Sequence, residues 1–214
     1  FLKQEYYDIK YYEKFSLLVH LLKKNIDGMA IIFCATRRET DILTRNLIMN
    51  GIKAIAIHGG HTQSKRSNAI ELLKKQHINV LVATDVAARG LDIKNISYIY
   101  NYDIPKTSDE YVHRIGRTAR AGMKGEAISF VTESDHENFG RVLRDRSLEI
   151  KKAEATQFEK LRFVREHRRE SSGYGRSFER GSNRPGFSGR HFSSERRDTR
   201  DSGYGNRRFA RKYN

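Results

Sequence analysis

The chain of 214 residues has one cysteine, Cys34. No internal disulfide can brace it, and a reducing, cytoplasmic setting is the expectation. No apolar run approaches the roughly 18 residues that a membrane-spanning helix needs, so no membrane partner is expected. The opening FLKQEYYD has neither an initiator methionine nor a basic-then-apolar leader, which reads as a piece of a longer, non-secreted protein. From 168 to 214 there is no Leu, Ile, Val or Met. Such a segment cannot bury enough apolar surface to offset the entropy of ordering it. Acids are scarce as well: 26 Asp and Glu face 41 Lys and Arg, for a formal charge of +15. That surplus either serves solubility or points to polyanions, nucleic acid ahead of an anionic membrane surface.

What the aliphatic-free segment does contain is instructive. Twelve arginines and one lysine face five acids, which accounts for +8 of the total charge. Tyr174, Phe178, Phe187, Phe192, Tyr204, Phe209 and Tyr213 are spread among them. Arginine binds phosphate and stacks on bases, aromatic rings stack on bases, and glycine keeps the chain loose. The expectation for 168–214 is a disordered RNA-binding tail; the alternative is an inert solubilising extension.

Before that break, short apolar runs alternate with helix-period segments. Strands are expected at 30–35, 53–59, 78–84, 96–102 and 125–132, after an opening strand from Lys3 that ends between Asp8 and Lys10. Several of these runs are nearly all apolar, as in strands covered on both faces. Helices are expected at 12–25, 37–50, 62–76, 108–120 and 134–146, with a last one over 156–168. In the first, Phe15, Leu18, Val19 and Leu22 make one buried stripe. Alternating βαβα units imply an α/β fold, a parallel sheet with helices on both faces. Ligands of such sheets bind beyond the carboxyl ends of the strands. Three polar clusters sit there, and they put Thr36, Gly60, Arg66, Thr84 and Asp92 on one rim.

The cluster HGGHTQSKR (58–66) follows one strand. Paired glycines let a backbone approach a phosphate, Thr62 suits the helix cap, and Gln63 and Arg66 share a helical face. The alternative is an ordinary β-turn-α corner with a solvated Arg66. In ATDVAARGLD (83–92), Thr84 and Gly90 suit close contact with a nucleic-acid backbone, and Asp92 suits a ribose hydroxyl. Asp85 could instead be a helix cap, and Arg89 a partner of one of the acids. In EYVHRIGRTARAG (110–122), a helix over 108–120 would set His113, Arg117 and Arg120 on one face, with Arg114 a quarter-turn away. Cations crowded on one stripe repel one another unless an anion lies opposite. The segment reads as a docking face for a polyphosphate held elsewhere, with guanidinium groups acting as arginine fingers. The alternative is a basic helix that only grips nucleic acid.

AIIFCAT (30–36), HGGHTQSKR (58–66), LVATDVAARGLD (81–92), YNYDIP (100–105) and DEYVHRIGRTARAG (109–122), in that order, resemble the C-terminal RecA-like domain of DEAD-box ATP-dependent RNA helicases. Ala35 stands where that family often has a polar residue. The resemblance implies a RecA-like domain over 1–155, a terminal helix and linker over 156–167, and the tail beyond. By resemblance Arg117 and Arg120 reach the γ-phosphate of ATP, His113 couples the two domains, and Asp92 meets the ribose. Thr36, Gly60, Gln63, Arg66, Thr84 and Gly90 are expected along an RNA backbone track with little sequence preference.

Neither a GxxxxGK[ST] phosphate cradle nor a DEAD string occurs in the 214 residues. ATP and Mg²⁺ are therefore expected to be held mainly by a first RecA-like domain in cis, and the chain alone is expected to be inactive. No metal site is expected in it. The function implied is ATP-driven local unwinding of RNA duplexes by the intact enzyme; the alternative is an RNA-binding or annealing module without ATPase activity.

Overall fold

The structure is a computed structural model, and it describes residues 1–25, 28–91, 93, 95–119 and 124–165. The expectations for Asp92, Arg120 and the 168–214 tail lie outside these residues.

The strands are β1 (Leu2–Asp8), β2 (Met29–Phe33), β3 (Ala54–Ile57), β4 (Val80–Ala83), β5 (Ile96–Asn101), β6 (Gly125–Val131) and β7 (Lys151–Lys152). They form one sheet in the order β3-β4-β2-β5-β6-β1-β7, and all the pairings are parallel. The helices are α1 (Lys14–Lys24), α2 (Arg37–Met49), α3 (Gln63–Lys74), α4 (Asp85–Ala88), α5 (Ser108–Ile115) and α6 (His136–Leu143). The period-two alternation of the strands sends side chains to two cores. Ile31 and Phe33 of β2 and Leu81 and Ala83 of β4 meet residues of α3, α4, α5 and α6. Ala30, Ile32, Val80 and Val82 meet α1 and α2 on the other face. A register shift between β2 and β5, at Met29 and Ala30, explains why Ile96 and Ile99 lie in one core although they are three positions apart.

This is the expected α/β sheet with helices on both faces. The short elements α4 and β7 were not expected, and two expected helices take a different course. The helix expected over 108–120 stops at Ile115. Gly116 closes it, and the Thr118 hydroxyl then donates to the Ile96 carbonyl at the start of β5. Ala119 takes a positive φ of 53°, so the chain leaves the helical path. Gly125 permits this, because a side chain there would collide with Thr118. Arg117 is therefore in the turn after α5 rather than one turn along a helix from His113.

The helix expected over 156–168 is absent from residues 156–165. That stretch runs as an irregular strap, and Phe158, Leu161 and Phe163 pack on the core that α1 and α2 cover. Its backbone is held by side chains. Ser16 Oγ accepts the Leu161 N–H at 2.9 Å. The Asn46 side-chain amide pairs with Val164 twice, taking its N–H at 2.8 Å and donating to its carbonyl at 2.9 Å. Helical periodicity in the sequence is overridden by this docking. Among the described residues no helix is long and apolar enough to cross a membrane.

Asn46 is 2% exposed and also donates to the Ile42 carbonyl. Asn46→Ala leaves the Val164 groups without their partner and is expected to cost about 1–3 kcal/mol in denaturant unfolding. An unchanged midpoint would show that the strap is not held by this pair.

Candidate functional site

The strands end at one level. Ile57 pairs with Ala83, Ala83 with Phe33, Phe33 with Asn101 and Asn101 with Ser129. In a parallel sheet this puts the segments that follow β2, β3, β4 and β5 along a single rim, which is where Thr36, Gly60, Thr84 and Asp103 lie.

Arg114 occupies the centre of that rim. It is 3% exposed, and its Nε and one terminal nitrogen donate to the two Asp85 carboxylate oxygens at 2.6 and 2.8 Å. The other terminal nitrogen donates to Asn101 Oδ1 at 3.1 Å and to the Asp103 carbonyl at 2.6 Å. The guanidinium lies 5.0 Å from the Phe33 ring centroid. Asp85 is thus the partner of Arg114 rather than a helix cap. The charge of Arg114 is spent inside the fold.

Arg117 and His113 are placed differently. With Arg89 and Glu110 they line a cleft whose floor is Phe33, Asp85, Ala88 and Arg114. The single helical face expected for them is replaced by one shared cleft. Arg117 is half-buried; His113 and Arg89 are exposed. Among the described residues none forms an ion pair or side-chain hydrogen bond with Arg117, Arg89 or His113. With Arg114 neutralised by Asp85, the cleft keeps two guanidiniums, Arg89 and Arg117, that are unpaired among the described residues and outnumber the one other carboxylate there, Glu110, an arrangement suited to an anion.

The remaining candidates run along the rim. Thr36 caps α2, its hydroxyl accepting the Glu39 N–H at 3.1 Å. Thr62 caps α3 in the same way through Lys65, which leaves Gln63 exposed at the first position of that helix. Gly60 is exposed, and its N–H donates to His58 Nδ1 at 3.1 Å. Thr84 precedes α4 without capping it, so its hydroxyl is not committed to that helix. Gly90 is exposed with φ of 75°, a conformation that glycine adopts without strain. Arg66 is half-buried, and one terminal nitrogen donates to the Ala87 carbonyl at 3.2 Å. It ties α3 to α4, a role the sequence reading did not give it.

The sequence reading also passed over Asp103. Its carboxylate accepts the Ala35 N–H at 2.8 Å and pairs at 3.2 Å with Lys14, which is 2% exposed and lies 4.6 Å from the Tyr102 ring centroid. Burial, followed by the Asp103 charge, pushes the Glu39 carboxyl up. Burial likewise pushes the Cys34 thiol well up, so Cys34 packs as a small apolar residue. Burial and then the neighbouring His58 lower His61. Asp41 stands beside these two histidines. No reading of the sequence had joined the three.

A family profile described as the helicase conserved C-terminal domain matches residues 13–122. The DEAD-box protein SrmB of E. coli, solved in complex with the regulator of ribonuclease activity A, is 44% identical; the match covers 72% of this chain and 92% of that one, with a TM-score of 0.69. The chain belongs to the helicase C-terminal domain family, in its DEAD-box branch. The ATP-dependent RNA helicase CshA of Limosilactobacillus reuteri is 46% identical over 132 residues, which are 62% of this chain and 27% of that protein. The chain thus spans about a quarter of that relative's length. Dbp5 of S. cerevisiae, solved bound to RNA and ADP BeF3, is 34% identical, with 71% of this chain and 41% of that one covered and a TM-score of 0.64.

The two neighbouring arginines of this RecA-like domain separate by their roles. Arg114→Ala strands the Asp85 carboxylate. Because Asp85 is 28% exposed, the expected cost is about 2–3 kcal/mol, below the roughly 3–5 of a fully buried pair. Arg117→Ala is expected to shift stability by less than about 0.5 kcal/mol. Denaturant unfolding of both variants checks this ordering, and equal losses would contradict it.

Proposed function

We propose that the chain is the C-terminal RecA-like half of an ATP-dependent RNA helicase. It supplies arginine fingers to a triphosphate and one side of an RNA track. The observation that carries this reading is the contrast inside the cleft: Arg114 is locked to Asp85, while Arg117 and Arg89 lack partners among the described residues. A fold that needed these cations only for stability would pair them.

ATP fits the cleft through its phosphates. The Arg117 and Arg89 guanidiniums, unpaired among the described residues, and His113 suit the γ-phosphate side, and Asp92 is proposed for the ribose. Arg120 is proposed as the second finger. Mg²⁺ would be held by the first RecA-like domain, where it would screen phosphate charge. What this chain's residues do is position and neutralise. Arg114 fixes the floor of the cleft, Arg117 brings its charge to the phosphoryl group, and the pairing of Asp85 with Arg114 keeps that carboxylate from neutralising Arg117.

RNA fits the rim. Thr36, Gly60, Gln63, Thr84 and Gly90 offer hydroxyls, an amide and open backbone rather than shaped pockets, which favours phosphate and sugar over base edges. Arg66 joins this track as a strut between α3 and α4, and its guanidinium is the proposed phosphate contact. Closure of the two domains over ATP would complete both sites at once. That coupling is how binding energy would strain an RNA duplex into local unpairing. The Arg/Gly/aromatic-rich tail would add affinity without sequence preference, in a cytoplasmic enzyme.

The decisive experiment uses the protein that contains both RecA-like domains. Arg117→Ala is expected to lower RNA-stimulated ATP turnover by about 10³–10⁵-fold, with RNA affinity retained. Unchanged turnover would refute the finger assignment, and lost RNA affinity would move Arg117 to the track.

A further inference from the structure

Away from the cleft, Asp41, His58 and His61 each offer one ligand atom, and these atoms all lie within 4.8 Å of one another. Asp41 comes from α2, His58 directly follows β3, and His61 sits in the loop before α3. His58 Nε2 is 3.0 Å from Asp41 Oδ1, and the two imidazole rings lie 3.9 Å apart between centroids. His58 is only 6% exposed, while the other two reach solvent. The helicase reading uses none of the three.

An imidazole–carboxylate pair has an ordinary explanation, and it covers two of these residues. His58 Nδ1 accepts the Gly60 N–H at 3.1 Å, so the neutral ring carries its proton on Nε2 and donates it to Asp41. That leaves His61 unexplained. Its ring lies against that of His58, tilted by 40° from it. A half-buried imidazole placed beside a second imidazole and a carboxylate can share a ligand with them.

We propose that Asp41, His58 and His61 form a binding site for a divalent transition-metal ion of the zinc class, with its remaining coordination position open to water. Two imidazoles and one carboxylate are a donor set suited to zinc or cobalt, whereas magnesium and calcium favour oxygen alone. A tetrahedral ion about 2.0–2.2 Å from each donor holds the donors roughly 3.4 Å apart. Donors already within 4.8 Å of one another reach that spacing by side-chain rotation. The fold supplies this closeness by bringing α2 against the end of β3.

The ion has a structural consequence. It takes the place of the proton between His58 Nε2 and Asp41, and that proton moves to Nδ1. Nδ1–H and the Gly60 N–H then face each other, so Gly60 must turn away. Metal occupancy and the conformation of Gly60 are linked. Because Gly60 belongs to the proposed RNA track, the ion would act on that track; only this last step rests on the helicase reading. Two cations oppose the ion and weaken the site. The Arg37 guanidinium packs over Gly59, and Lys65 lies near His61.

The test titrates Zn²⁺ into the 214-residue chain by calorimetry, and into a ¹⁵N-labelled sample by NMR. One ion per chain is expected, with an affinity that drops by more than about 100-fold in His61→Ala, beyond the loss typical of an outer-shell partner. The Gly60 amide is expected to shift as His58 changes tautomer, and excess Mg²⁺ to leave both unchanged. Circular dichroism establishes that His61→Ala stays folded, and Asp41→Asn gives a second variant with the same expectation. The chain carries eight histidines. The proposal is overturned by an absence of stoichiometric binding, by equal affinity in His61→Ala, or by binding that leaves the Gly60 and His58 signals in place. None of these outcomes bears on ATP turnover, so the site and the helicase reading fail separately.

Discussion

The rim is organised by one guanidinium. Arg114 spends its donors on the Asp85 carboxylate, the Asn101 side chain and the Asp103 carbonyl, with its face on Phe33. Those four partners come from the ends of β4, β5 and β2. A lysine has neither the planar fork nor enough donors in fixed directions to join them. The result is both mechanical and electrostatic. Three strand ends and α5 are fixed relative to one another, and a buried positive charge on the rim is cancelled. Among the described residues, the arginines that the cleft then presents outward are Arg117 and Arg89.

The tie extends inward and sideways through groups that satisfy one another. Asn101, fully buried, donates to Ser129 Oγ at 3.0 Å, across the register pair that joins β5 to β6. Asp103 turns the other way. Its carboxylate fixes the Ala35 N–H, one residue before the Thr36 cap, and pairs with buried Lys14. Buried polar groups of this kind are costly unless every partner is present. Their mutual satisfaction explains how a rim of loops stays in place without disulfides. The phosphate-facing and RNA-facing candidates thus share a common support, which would let closure on one register at the other.

Much of this was legible in the sequence, for identifiable reasons. β2, β4 and β5 read as strands because a sheet covered on both faces is apolar at nearly every position. The starts of α2 and α5 carry a local signal the sequence analysis did not use: Thr36 and Thr107 are each followed three residues later by a glutamate whose N–H the threonine accepts. Stops were harder. Nothing local in GRTARAG announces that Thr118 will bond a carbonyl of β5, since that partner lies 22 residues away. The strap misread as a helix has the same cause: Phe158, Leu161 and Phe163 follow a spacing that suits either state, and the choice is made by Ser16 and Asn46 more than a hundred residues earlier. Asp85 was ambiguous alone because its partner is set by topology. His58 and His61 were quoted as part of one motif, but Asp41 belongs to another element, so only the fold could join them.

Helix α2 is where these constraints converge, and that limits what an ion could do there. Its first turn is held by the Thr36 cap next to the Asp103 tie, and its last turns by the pair between Asn46 and Val164. A helix fixed at both ends cannot slide to meet a ligand. Any change at Asp41, in the second turn, must be absorbed by what faces it. His58 is buried against that helix, so the part free to respond is the exposed glycine loop and His61. The rigidity that keeps the rim level is thus the same property that would direct a local event at Asp41 into the Gly59–Gly60 turn, rather than dispersing it through the core.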